Sequence, residues 1–282
     1  MAPDTGNQIL SNGKTRGRPG GLLTGPFALI GRAAISWIND LGAWAIFLVL
    51  GLLKILHPKQ AFRVIEQIYY IGARSTMIIM LVGLFTGMVL GLQAYHALVK
   101  LGAEGALGTL VALSLVRELG PVLTAIMITA RAGSAISAEI GIQRISEQID
   151  ALQTMRIDPL GYLVTPKIMA SIISFPLLTA LFDLIGILGG YISGVLLLGA
   201  NAATYQYRVQ ASMDAGDVVH GLIKAVVFAV IVSAVYCYQG YFAHMRRDSH
   251  GAKAVGLSTT SAVVLSCVLI LVTDYVLTAL LI

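Results

Sequence analysis

Residues 107–132 read LGTLVALSLVRELGPVLTAIMITARA. The run exceeds the about 20 residues that a helix needs to cross a hydrocarbon core. Only Arg117, Glu118 and Arg131 put charge into it. The rest of the chain is of the same kind. Across 282 residues, 57% are hydrophobic and 12% charged, against about 25% charged in a soluble domain. Mean hydropathy is +0.82. A water-facing surface cannot be built from so few charges, so the chain reads as an integral membrane protein. Length alone would suggest about two domains of roughly 150 residues, but composition overrides it. A secreted enzyme, a soluble dehydrogenase or kinase, and a nucleic-acid-binding domain are excluded.

Working outward, five segments qualify as spans: 75–97, 107–132, 166–198, 218–243 and 254–281. The third is long enough to tilt, bend or protrude, and Pro176 inside it should kink it. The fold class is therefore all-α, with residues 75–282 as one five-span domain. Residues 1–21 are polar and Gly-rich and read as a disordered tail. Gly13-Lys14-Thr15 in that tail resembles the end of a P-loop, but the required first glycine is Gln8. No signal peptide is apparent, so the first span is expected to serve as the targeting signal. Residues 22–74 form an interfacial region. Its longest clean run, Ala43 to Leu53, is too short to span, and Trp37 and Trp44 suit headgroup depth.

With the N-terminus in the cytoplasm, 15 of the 19 basic residues fall on the inner side. Only Lys100 and Arg208 fall in outer loops, while Arg117 and Lys224 lie inside spans. That asymmetry predicts N-terminus in and C-terminus out.

Between spans two and three lies SAISAEIGIQRISEQIDALQTMR (134–156). Ile142, Ile145, Ile149 and Leu152 recur at helical spacing, opposite Glu139, Gln143, Ser146, Glu147 and Asp150. One amphipathic helix is expected, stopped by Pro159. It could simply rest on lipid, but its acidic and glutamine-rich face suits a protein partner better than anionic lipid. Arg117 and Glu118 are the second candidate feature. Adjacent charges at membrane depth are costly unless paired or facing a watery cavity. They read either as a structural pair with another span or as one wall of a substrate cavity. Gly83, Gly87 and Gly91, and Gly186, Gly190 and Gly194, mark close helix packing. Asp183 and Asp274 read as isolated intramembrane acids, the feature a proton-coupled carrier of a hydrophobic substrate would need. Cys237 and Cys267 lie in apolar runs, and no histidine pair has metal-ligand spacing, so no metal site is expected. No nucleophile–base arrangement is found, so the chain is not read as an enzyme.

Several long motifs then carry a resemblance. GMVLGLQAY (87–95), LVALSLVRELGPVLTAIMITARAGSAISAEIG (110–141), ISEQIDAL (145–152), DPLGYLVTPKIMASIISFPLLT (158–179), STTSAVVLS (258–266) and DYVLTALL (274–281) occur in order. Over residues 60–282 the chain resembles the MlaE (YrbE-type) permeases, membrane subunits of MCE-associated ABC lipid transporters. The resemblance implies an N-terminal interfacial helix, five spans and a homodimer. It implies phospholipid movement between the bacterial inner membrane and a periplasmic MCE-domain carrier, serving outer-membrane lipid asymmetry. The helix at 134–156 would be a coupling helix, with Glu139, Arg144, Glu147, Gln148 and Asp150 facing a cytoplasmic ABC ATPase. Arg117, Glu118, Leu90 and Gln93 would line a lipid cavity. A STAS-domain protein would be a further partner. No cofactor is expected in this chain, since ATP would be used by the partner ATPase. The pattern departs at Leu257 and Ser261, where many members carry arginine, so no role of those arginines carries over.

Overall fold

The computed structural model describes residues 61–245 and 251–281, together with Gly42, Phe47 and Val49. Residues from Trp44 onward group as one compact unit, and Met1–Ala43 as another, of which only Gly42 is described. The expected tail (1–21) and most of the interfacial region (22–74) lie outside the described residues. Phe47 is an exception. Its ring sits 5.7, 5.8 and 6.2 Å from those of Tyr238, Tyr241 and Phe242.

Every element among the described residues is helical. Lipid offers no partners for backbone polar groups, so a spanning segment must satisfy them within itself. We label the helices α1 (Phe62–Val99), α2 (Glu104–Ile145), α3 (Gln148–Thr154), α4 (Leu160–Leu197), α5 (Ala202–Ser212), α6 (Ala215–Tyr241) and α7 (Ala252–Leu281). Five of them, α1, α2, α4, α6 and α7, are long and apolar enough to cross a membrane.

α1, α2 and α7 enclose their expected spans, whereas α4 stops one residue short of 198 and α6 two residues short of 243, though both begin earlier than expected. α1 carries a 3-10 turn at Ala73–Ser75. Arg131 of α2 pins that turn, donating from Nη1 to the Tyr70 carbonyl (3.1 Å) and to Ser75 Oγ (2.9 Å). α2 is the larger surprise. It continues past residue 132 through Ser134–Ile145, so the second span and the start of the amphipathic segment are one rod. The single helix expected over 134–156 is instead broken. Glu147 takes a left-handed backbone (φ 58°), α3 follows, and Arg156 is left-handed again (φ 58°). The chain thus turns before Pro159 is reached. Ile149 is fully buried, but Ile142 is 56% exposed, so the apolar stripe does not face one surface throughout. Pro176 stays inside α4.

The glycine stripes bring α1 against α4. A Cβ on Gly87 would lie 1.8 Å from the Gly186 carbonyl oxygen, and one on Gly91 would lie 3.0 Å from Gly190. Backbones this close gain dispersion contacts where lipid supplies no hydrophobic drive between helices. Gly87→Ala is expected to lower the melting temperature in detergent sharply, because the neighbouring backbone cannot yield. Gly256→Ala, which meets nothing within 4 Å, should gain up to about 1 kcal/mol of helix propensity. A thermal-shift assay on the two variants checks the contrast.

Candidate functional site

The site begins with Pro121. A proline has no N–H, so the carbonyl four residues earlier, Arg117 C=O, loses its helical donor. α2 responds with a π-helical turn at Leu115–Leu119, just ahead of the proline. Such turns are frequent at functional sites because they redirect side chains. Here the turn carries Arg117 and Glu118 out to α6 and α7. The freed Arg117 carbonyl is taken by Lys224 Nζ of α6 at 3.0 Å.

Lys224 is buried to 2% exposure. Its ammonium also meets Glu118 Oε2 (2.8 Å), Thr278 Oγ1 (2.7 Å) and Asp274 Oδ1 (3.1 Å). Thr278 Oγ1 lies 3.2 and 3.3 Å from the two Glu118 oxygens. Arg117 turns the other way. Its Nε (2.8 Å) and Nη2 (2.7 Å) both meet Asp217 Oδ1. Asp217 sits in the first turn of α6, in a capping box with Asp214, where the helix dipole favours an anion. Arg117 keeps 47% of its side chain exposed. Arg117, Glu118, Asp217, Lys224 and Thr278 line a cleft of about 250 Å³ with His220 and Leu281. It offers a cation, buried countercharges and an apolar rim, an arrangement suited to a polar headgroup at membrane depth.

Leu90 and Gln93 do not share this cleft. They line a neighbouring groove of about 360 Å³ with Phe85, Thr86, Val89 and Leu119. Leu119 directly follows Glu118, so the two hollows flank the same π turn. Sequence reasoning treated Arg117-Glu118 as a unit, but each pairs with a different residue of α6. It missed Asp217, His220 and Thr278, and it read Asp274 as isolated, whereas Asp274 pairs with Lys224. One signal was available. Lys224 lay deep inside a span, and a buried cation needs an acid.

The proposed docking residues separate as well. Glu139 pairs with Lys167 of α4 at 3.0 Å, and that lysine is almost wholly buried. Arg144 Nη1 holds Asp150 of α3 at 2.6 Å, while its Nε donates to His244 Nδ1 at 3.1 Å. Arg144 also lies over the Tyr241 ring. Glu147 and Gln148 are exposed. Arg144 therefore ties α3 to the turn after α6.

His244 must be neutral at Nδ1 to accept that bond. Partial burial, and next the Arg144 charge, push its imidazole below its usual value. A depressed histidine contributes stability above its ordinary value and loses it as pH falls. Amide exchange in α3, corrected for intrinsic rate, should therefore rise between about pH 7.5 and 5.5. His244→Asn should flatten that response. Separately, Lys224→Met should cost about 3 kcal/mol, the low end for breaking a buried pair, since Glu118 is partly exposed. Adding Glu118→Gln should recover part of the loss in a thermal-shift measurement.

Comparison with known proteins follows from residues 64–280, which match a family model described as Permease MlaE. The chain is 42% identical over 252 residues to a probable ABC transporter permease protein of Rickettsia bellii, covering 89% of this chain and 95% of the relative. It is 41% identical over 253 residues to the intermembrane phospholipid transport system permease protein MlaE of Haemophilus influenzae, covering 89% and 95%. It is 34% identical over 228 residues to the chloroplastic protein TRIGALACTOSYLDIACYLGLYCEROL 1 of Arabidopsis thaliana, covering 80% and 64%.

Proposed function

The chain belongs to the MlaE permease family, and from that premise we propose how it works as an ABC transporter permease. It moves phospholipid between the inner membrane and a periplasmic MCE-domain carrier. ATP is hydrolysed by a partner ATPase, and a STAS-domain protein completes the cytoplasmic side. The N-terminus lies in the cytoplasm and the C-terminus in the periplasm.

The observation that carries the reading is the charged cleft on the α2 π turn. Four of its lining residues are Arg117, Glu118, Asp217 and Lys224, set among apolar helices. Arg117 keeps an exposed face and engages the headgroup phosphate, where a charge-assisted hydrogen bond is strong. The acyl chains follow the apolar groove past Leu90 and Leu119. Two copies enclose the lipid. α7 supports this, because the helix that gives Thr278 and Leu281 to the cleft leaves Val264, Val268, Leu271, Val272 and Tyr275 exposed.

Coupling uses the rod. Closure of the ATPase pair presses on the turn that contains Glu147 and Gln148. α2 passes the displacement to Arg117 and Glu118, and the cleft changes shape. Glu139, Arg144 and Asp150 hold that turn to α4, α3 and the segment after α6, while Glu147 and Gln148 meet the ATPase.

Two tests follow. In a gentle-detergent pull-down of the tagged chain, Arg117→Ala should lower co-purifying phospholipid about tenfold, the loss of one charge-assisted bond. Unchanged lipid would remove Arg117 from the headgroup site. Glu147→Lys with Gln148→Lys leaves the Arg144–Asp150 pair intact. It should lower ATPase recovery by at least about tenfold through like-charge contact. Full recovery would move the docking surface elsewhere.

A further inference from the structure

The interface between α2 and α4 holds polar atoms that the cleft does not use. Close approaches fix how the two helices pair. Leu107 meets Gly194, Val111 meets Gly190, Leu115 meets Gly186, and Gly120 meets Asp183. Numbers rise along α2 as they fall along α4, so the helices are antiparallel. Carried one turn further, the register of these contacts sets Thr124 of α2 opposite Thr179 of α4.

Three oxygens are buried at these facing turns: Thr124 Oγ1, Thr179 Oγ1 and Asp183 Oδ1. None has a hydrogen-bond partner among the described residues. Thr124 is 0% and Thr179 1% exposed. A buried threonine in a helix ordinarily returns its proton to the carbonyl four residues back. Thr129 and Ser171, on the same two helices, do so at 2.7 and 2.8 Å. Thr124 and Thr179 make no such bond. An unpartnered hydroxyl and an unpartnered carboxyl oxygen are each costly in a dry interior.

We propose that Thr124, Thr179 and Asp183 form a binding site for a small monovalent cation, a hydrogen ion or sodium, which ties α4 to α2. A carboxylate with hydroxyl oxygens is a hard donor set suited to such a cation. A single carboxylate matches a single positive charge. The surrounding ionisable groups are committed or absent. On α2, Arg117 and Glu118 are held by Asp217 and Lys224. α6 faces α4 with Tyr236, bonded to Ser171, and with Cys237. α1 carries no ionisable group between Thr76 and Ala94. The site lies behind the π turn whose other side forms the cleft, and it stands whether or not the lipid reading does.

The test uses the full chain in lipid nanodiscs, with sodium chloride replacing choline chloride at constant ionic strength. The wild-type melting temperature should rise by about 5 °C in sodium. Asp183→Asn should abolish the rise, Thr179→Val should reduce it, and Thr179→Ser should keep it. If sodium does nothing, but wild-type melting falls between about pH 6 and pH 9 while Asp183→Asn stays flat, the occupant is a hydrogen ion. If wild type, Asp183→Asn and Thr179→Val respond alike to both sodium and pH, the site does not exist.

Discussion

One ammonium group holds the second, fourth and fifth spans to a common point. Lys224 is nearly sealed from its surroundings and touches a backbone carbonyl, two carboxylates and a hydroxyl. A buried cation without acids would be intolerable in an apolar interior, and the acids would be equally so without it. Pro121 makes the arrangement necessary by removing one N–H from α2. The π turn, the exposed Arg117 and the outward reach of Glu118 all follow. The cleft is thus a by-product of satisfying a carbonyl.

The other half of the molecule is set by small residues. Gly87 against Gly186, and Gly91 against Gly190, fix how α1 and α4 slide on one another. Gly186 and Gly190 also admit Leu115 and Val111 of α2. α4 is therefore gripped from two sides at the same glycines. Its position against α2 places Asp183 at Gly120, and that contact leaves the carboxylate facing backbone instead of a basic side chain.

Much of this was legible in the sequence. The number of spans followed from apolar length, and close packing from glycines four apart. Arg117-Glu118 was recognisable because paired charges in an apolar run need an explanation. The partners were not. Arg117 and Asp217, or Glu118 and Lys224, lie about a hundred positions apart, and helix rotation decides which of them meet. The break at Glu147 was hidden for another reason. A left-handed residue is usually glycine, and a glutamate there gives no warning. The docking face predicted from periodicity mixed residues that bind neighbours, such as Glu139, with residues left free, such as Glu147. Periodicity assigns a side of a helix and says nothing about what covers it.

The continuity of α2 has a consequence for how such a chain can change. Its 42 residues extend about 60 Å at 1.5 Å per residue. The Glu147 turn and the Arg117 cleft are read off the same screw thread. Adding or deleting one residue between positions 118 and 145 would rotate one end about 100° relative to the other. Even where a side chain in that stretch touches nothing that matters, its place in the count does. The count of residues acts as a timing gear, and a chain that lost a tooth would keep both sites and lose the phase between them.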